Sequence, residues 1–347
     1  MKHLLIASFI MLASVVSSQT TMQNKTVVAK FDSTYAGPRF GTGSKKFAGN
    51  LKTKNENNFS KLWNQLTPEN EGKWGRVGTT PDSVNWNWGP ITDLYNYAKS
   101  HNIKFKYHTL IWGNQQPEWI SDLSQDEKLK YINTWIRQIG IRFPDMEMVD
   151  VVNEALPQHF PPNGEKKTAN YKDALGGDGK TGYDWVIKSF ELARKNMPNS
   201  KLLINEFYIL NSDTNTTTYL EIINLLKDRG LLDGIGVQGH RGEIGGVPVS
   251  TLKRNLDRLA ATGLPVYLSE IDLGNIKNEG EPNDQEQLEL YQTIFPVLWE
   301  HPGVAGITFW GYVEGRMWKK NCHLVRTDGT WRPAMIWLAK YLTENPR

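Results

Sequence analysis

The chain has 347 residues, 40 Lys and Arg against 37 Asp and Glu, and a single cysteine, Cys322. A formal charge of +3 spread without runs of like sign gives no footprint for nucleic acid or an anionic membrane. One cysteine rules out an internal disulfide, so stability must come from the core. Most of the 13 Trp and 13 Tyr are expected inside; the remainder is enough to line a carbohydrate groove.

From the start, Met1-Lys2-His3, an apolar run from Leu4 to Val16 and Ser17-Ser18 have the layout of a secretory signal peptide over 1–18, which implies a secreted or periplasmic protein. That run is too short to span a bilayer. Residues 19–36 are leader-like in composition and are expected to lie outside the main repeat, leaving 37–347 as one catalytic domain without an appended module. Apolar or β-branched runs then recur at 38–42, 64–69, 104–112, 146–154, 201–207, 232–240, 265–273 and 304–312. Segments of helical period lie between them. In 128–140, Leu129, Ile132, Ile136 and Ile139 share a face; in 288–300, Leu288, Tyr291, Ile294 and Leu298 do the same. Gly230 and Gly263 stand where C-terminal caps would end two further helices. Eight alternations favour a (β/α)8 barrel over a doubly wound sheet, because GTGSKK (41–46) is too weak for the phosphate loop of the latter.

Two of the runs, VVNEAL (151–156) and VYLSEIDL (266–273), end on a carboxylate. Apolar strands that deliver charge to their carboxyl-terminal ends place it where such barrels keep their chemistry. Glu154 would end the fourth strand and Glu270 the seventh, facing each other across the mouth. A gap of about 5 to 5.5 Å between the carboxyl groups suits a retaining glycosidase, and roughly 6.5 to 9.5 Å an inverting one. Asn153 beside Glu154 offers an amide for a sugar hydroxyl. Asp272 shares a strand face with Glu270, and His240 would end the adjacent strand, so a histidine held between the two carboxylates could orient Glu270. With Glu270 anionic, its field and a partly dry site should keep Glu154 protonated.

TPENEGKW (67–74), HTLIWGNQ (108–115), VVNEAL, GVQGH (236–240), LSEIDL (268–273) and ITFWGY (307–312) with Trp318 beyond it resemble, in order, the strand-end motifs of family 10 glycoside hydrolases, the endo-1,4-β-xylanases. The resemblance implies Glu154 as general acid/base and Glu270 as nucleophile in a retaining double displacement on xylan. It implies nucleophile support from His240 and Asp272. The expected substrate-binding set is Glu69, Asn70, Lys73, His108, Trp112, Gln115, Asn153, Tyr171, Gln238, Trp310 and Trp318. No metal, cofactor, nucleic acid or membrane span is called for, and a monomer is expected. Gly113, Arg241, NEF (205–207) and GYVEGRM (311–317) depart from the usual pattern and bear on fine specificity, since mouth loops carry it. A β-glucanase of the same barrel clan and a silent carbohydrate-binding barrel are the alternatives.

Overall fold

The computed structural model describes residues 59–160, 169–274 and 282–345, together with the backbone of 26–31. Nine parallel strands form one sheet: β1 (Thr26–Phe31), β2 (Gln65–Pro68), β3 (Lys104–Tyr107), β4 (Ile111–Trp112), β5 (Met148–Asn153), β6 (Lys201–Glu206), β7 (Gly234–Val237), β8 (Val266–Ile271) and β9 (Val304–Phe309). β1 pairs with both β2 and β9, and β3 pairs with both β2 and β5, so the sheet closes on itself. β3 and β4 are two halves of one barrel position, since both pair with β5. The ring therefore has eight positions and is a (β/α)8 barrel.

The run at 104–112 is broken in its middle, where the His108–Thr109 peptide is cis. The first strand is a larger correction. β1 falls within 19–36, the segment expected outside the barrel, and its ladder to Gly306–Phe309 completes the ring. The 38–42 run and the 1–18 leader lie outside the described residues. The strand carries its own signal, since Val27, Val28, Ala29 and Phe31 make TVVAKF a short apolar and β-branched run, and the mostly polar residues before it at 19–25 mask it by giving the whole segment a leader-like composition.

Seven helices of twelve residues or more pack around the described barrel: α1 (Gly89–Ser100), α2 (Gln125–Arg142), α3 (Asp184–Asn196), α4 (Asp213–Lys227), α5 (Val249–Ala260), α6 (Asp284–Trp299) and α7 (Pro333–Glu344). α2 starts at a reciprocal capping box between Ser124 and Glu127, which satisfies otherwise orphaned N–H groups. It buries Ile132, Trp135, Ile136 and Ile139, while Leu129 packs at the edge. In α6, Tyr291, Ile294 and Leu298 are buried, but Gln287 takes the inward place next to Leu288 and bonds Leu273 O and His323 O. Gly230 and Gly263 follow α4 and α5 at φ of 65° and 79°. No described helix is long and apolar enough to cross a membrane.

Candidate active site

The carboxyl-terminal ends of the strands surround a cleft of about 510 Å³. Fourteen expected positions line it together: Glu69, Asn70, Lys73, His108, Trp112, Gln115, Asn153, Glu154, Gln238, His240, Glu270, Asp272, Trp310 and Trp318. Tyr171 does not. Its ring is buried against Trp74, and its hydroxyl donates to Trp112 O at 2.7 Å while accepting from Trp112 N at 3.2 Å. It supports the backbone of a cleft residue instead of facing sugar, because a phenol buried this deeply must find its partners in the protein. The 69–74 loop reaches the cleft by close approach to 108–115: a Cβ on Gly72 would stand 2.3 Å from His108 O, so only glycine fits. This brings Lys73 within 3.1 Å of Asn70 Oδ1 and over the Trp112 ring at 4.6 Å.

Glu154 follows β5 directly and adopts φ 62°, with its N–H on Asn205 O at 2.8 Å. A non-glycine residue in that region is strained and persists only where neighbours hold it. Its carboxyl accepts from Trp112 Nε1 at 2.6 Å on one oxygen, and from Asn153 Nδ2 and Gln238 Nε2 at 3.1 Å on the other. Burial pushes its pKa up to about 7, Glu206 and Glu270 add to the rise, and the Trp112 and Gln238 donors oppose it.

Glu270, on β8, is 5 % exposed. Burial alone would raise its pKa, but the His240 hydrogen bond and the positive charges of His108, His240 and Lys73 outweigh burial and hold it at about 2. His240 lies between two carboxylates as expected, with Nε2 3.3 Å from Glu270 Oε2 and Nδ1 3.0 Å from Asp272 Oδ2. Burial disfavours its imidazolium, yet Asp272 and Glu270 together lift its pKa to about 10. Asp272 also accepts from Arg241 N at 2.7 Å and Trp318 Nε1 at 2.8 Å, so the half-exposed Trp318 is tied to the same hub. Across the cleft, His108 Nδ1 stands 2.9 Å from Asp150 Oδ2 and Trp310 meets the ring edge-on at 5.3 Å.

Sequence reasoning missed the residues that join these halves. Asn205, fully buried, donates from Nδ2 to both Asn153 Oδ1 (2.7 Å) and Glu270 Oε1 (2.9 Å), and the Ser269 hydroxyl donates to its carbonyl. Asp150, Glu243, Tyr208 and Lys319 were not foreseen either, while Glu206, Phe207 and Arg241 were marked only as departures bearing on fine specificity; Glu243, Phe207, Tyr208, Arg241 and Lys319 line the cleft. A signal existed: LLINE at 202–206 is a third apolar run ending on a carboxylate. Among the described residues, no group of three or more His, Cys, Asp or Glu side chains is disposed to hold a metal ion.

Comparison with known proteins bears on this arrangement directly. The model of glycosyl hydrolase family 10 matches residues 30–341. The chain is 40% identical over 299 residues to endo-1,4-beta-xylanase B of Cellvibrio japonicus (strain Ueda107), covering 85% of this chain but 45% of that longer protein. It is 30% identical over 275 residues to a beta-1,4-xylanase of Dictyoglomus thermophilum, covering 76% of this chain and 75% of that one. In fold it is similar to native xylanase 10B from Thermotoga maritima, with a TM-score of 0.75 at 23% identity over 93% of this chain and 96% of the other. A closed eight-position barrel with the half-buried Glu154 and the buried Glu270 at its mouth, matched along nearly its whole length, places the chain in glycosyl hydrolase family 10.

Proposed function

We propose that the protein is an endo-1,4-β-xylanase acting with retention, with Glu154 as acid/base and Glu270 as nucleophile. The observation that carries this reading is that one cleft holds two carboxyls in opposite surroundings: Glu270, buried and bonded to Asn205 and His240, is held at about 2, while the half-buried Glu154 is pushed up to about 7. At neutral pH Glu270 is a carboxylate, while a substantial fraction of Glu154 keeps its proton. Glu270 attacks the anomeric carbon of the sugar at the cleavage site as Glu154 protonates the departing glycosidic oxygen, leaving a glycosyl ester on Glu270. Esterification removes the charge of Glu270, which lowers the pKa of Glu154. Now a base, Glu154 takes a proton from water as that water attacks the anomeric carbon and releases Glu270.

The imidazolium of His240 and the amide of Asn205 hold one oxygen each of Glu270, which fixes the nucleophile in its ionised form. Trp310 and the half-exposed Trp318 offer aromatic faces to pyranose rings, and Lys73, Asn70 and Gln115 offer polar contacts. The xylanase names of two relatives at 40% and 30% identity support xylan as the polymer. The leader composition of 1–18 supports export.

The test is product analysis with Glu154→Ala on an activated aryl xyloside in the presence of azide. A β-configured glycosyl azide supports both roles, whereas an α-product or no rescue overturns the assignment. Parallel assays on xylan, glucan and mannan separate the xylanase from a glucanase of similar architecture.

A further inference from the structure

We propose that Glu206 is a positioning residue for Glu154, clamping from the neighbouring strand the turn that carries it. Glu206 is the last residue of β6 and is fully buried. Three N–H groups converge on its carboxylate: Leu156 N at 2.8 Å on Oε2, and Phe207 N at 2.9 Å and His159 Nδ1 at 2.8 Å on Oε1. Its chain neighbour Asn205 takes the N–H of Glu154 on its carbonyl at 2.8 Å. Consecutive residues of β6 thus pin the backbone at 154 and 156, one on either side of the bend begun by Glu154 at φ 62°. Such a conformation survives only when its surroundings over-determine it, and Glu206 supplies the outer half of that constraint.

The length of the side chain matters. One oxygen reaches Leu156 and the other His159, three residues further along the same turn, so in this chain the glutamate, standing where the resemblance gives aspartate as more usual, spans the turn with its extra methylene. His159 then stacks on Phe207 with centroids 3.7 Å apart, closing the clamp from above. The titratable groups facing this cluster are Glu154 and His159 from the turn, Tyr219 from α4, and Glu270 on β8 with Lys73, His108 and His240 around it. Among the charges acting on Glu154, Glu206 weighs more than Glu270.

This inference rests on Glu154 being the acid/base, and the experiment keeps the two apart. Rate–pH profiles of kcat/KM are measured for wild type, Glu206→Gln and Glu206→Asp on xylo-oligosaccharide and on an aryl xyloside whose leaving group needs no proton. Glu206→Gln is expected to move the limb belonging to Glu154 to lower pH and to cost roughly tenfold or more on the oligosaccharide, with KM little changed and the aryl xyloside nearly unaffected. Glu206→Asp keeps the charge and is expected to leave the limb in place while losing oligosaccharide activity. An unmoved limb in the Gln variant, equal losses on both substrates, or full activity in the Asp variant overturns the proposal. If Glu206→Gln fails to fold, the Asp variant alone still decides the clamp. Glu154→Ala run alongside reports on the acid itself: if it hydrolyses the oligosaccharide as well as wild type does, the reading of Glu154 fails whatever Glu206 does.

Discussion

The side-chain amide of Asn205 donates to Glu270 Oε1 at 2.9 Å from a position with no solvent exposure. The same nitrogen bonds Asn153, whose own amide reaches Glu154, so two amides in series connect the carboxyl of Glu154 to that of Glu270. Gly236 makes room for this link, since a Cβ there would stand 2.6 Å from Asn205 Oδ1.

Asn205→Asp should therefore act on the nucleophile first. A second carboxylate at this distance opposes the ionisation of Glu270, raising its pKa from about 2, so the acidic limb of kcat/KM moves to higher pH. A loss on the order of 100-fold in kcat is expected for this variant, because a group aimed at the reacting carboxylate is replaced by a repulsive one. An acidic limb identical to that of wild type would show that Asn205 does not touch the ionised form.

Trp112 combines two functions that a single substitution separates. Its indole N–H on Glu154 Oε2 at 2.6 Å lowers the acid's pKa against the rise from burial, while its ring face carries Lys73. Trp112→Phe keeps an aromatic face and removes the donor, so the alkaline limb is expected to shift upward from about 7 with only a modest change in KM. A large rise in KM with an unchanged limb would mean that the residue works through sugar contact alone.

The electrostatic dialogue between the two glutamates is weaker than their juxtaposition suggests. Burial is the main cause of the raised pKa of Glu154, and Glu206 precedes Glu270 among the charges. Glu270→Gln is thus expected to lower the Glu154 titration by less than half of its displacement from an ordinary glutamate, as followed by NMR of the labelled carboxyl. A return to the ordinary range would restore the nucleophile as the controlling charge.

The barrel and the cleft were legible because strand-end motifs carry both the apolar run and the polar residue it delivers. Glu154, Glu270, His240 and Asp272 could be placed from strand count and side-chain alternation. Tyr171 could not, because a tyrosine that supports the backbone of Trp112 and one that faces sugar have the same local sequence. Asn205 and Glu206 were visible at a strand end, but their partners lie on β5, on β8 and in the turn after β5, a convergence that only closure of the ring creates. β1 is a different case: TVVAKF is readable as a strand run, and only its place in the ring, set by ladders to β2 and β9, is beyond the local sequence.

Glu243 allows a test of how the cleft trades stability for charge. Its Oε2 accepts from Tyr208 N at 2.9 Å and Gly239 N at 3.3 Å, while its buried Oε1 has no hydrogen-bond partner among the described residues. Burial raises its pKa to about 8, against the pull of His240. A carboxyl whose folded pKa lies above its unfolded value near 4.5 favours the fold in its protonated form. That contribution is complete below pH 4.5 and is lost as pH rises towards 8. Glu154 loses stability in the same direction between about 4.5 and 7, and His240, raised from 6.5 to about 10, between those values. Glu270 runs the other way, its contribution present above 4.5 and lost as pH falls towards 2, and so does His323, which burial lowers from 6.5 to about 4 and whose contribution is present above 6.5 and lost as pH falls towards 4. Thermal stability is therefore expected to decline from about pH 6.5 to pH 10, while below 6.5 the gain from His323 offsets part of the loss from Glu154 and Glu243. Glu243→Gln cannot ionise, so its Tm should lie below that of wild type at pH 4.5 and gain on it by a few °C by pH 8, measured by circular dichroism. Parallel curves for the two proteins would mean that Glu243 titrates as an ordinary carboxylate, and the unpartnered oxygen would then need a donor.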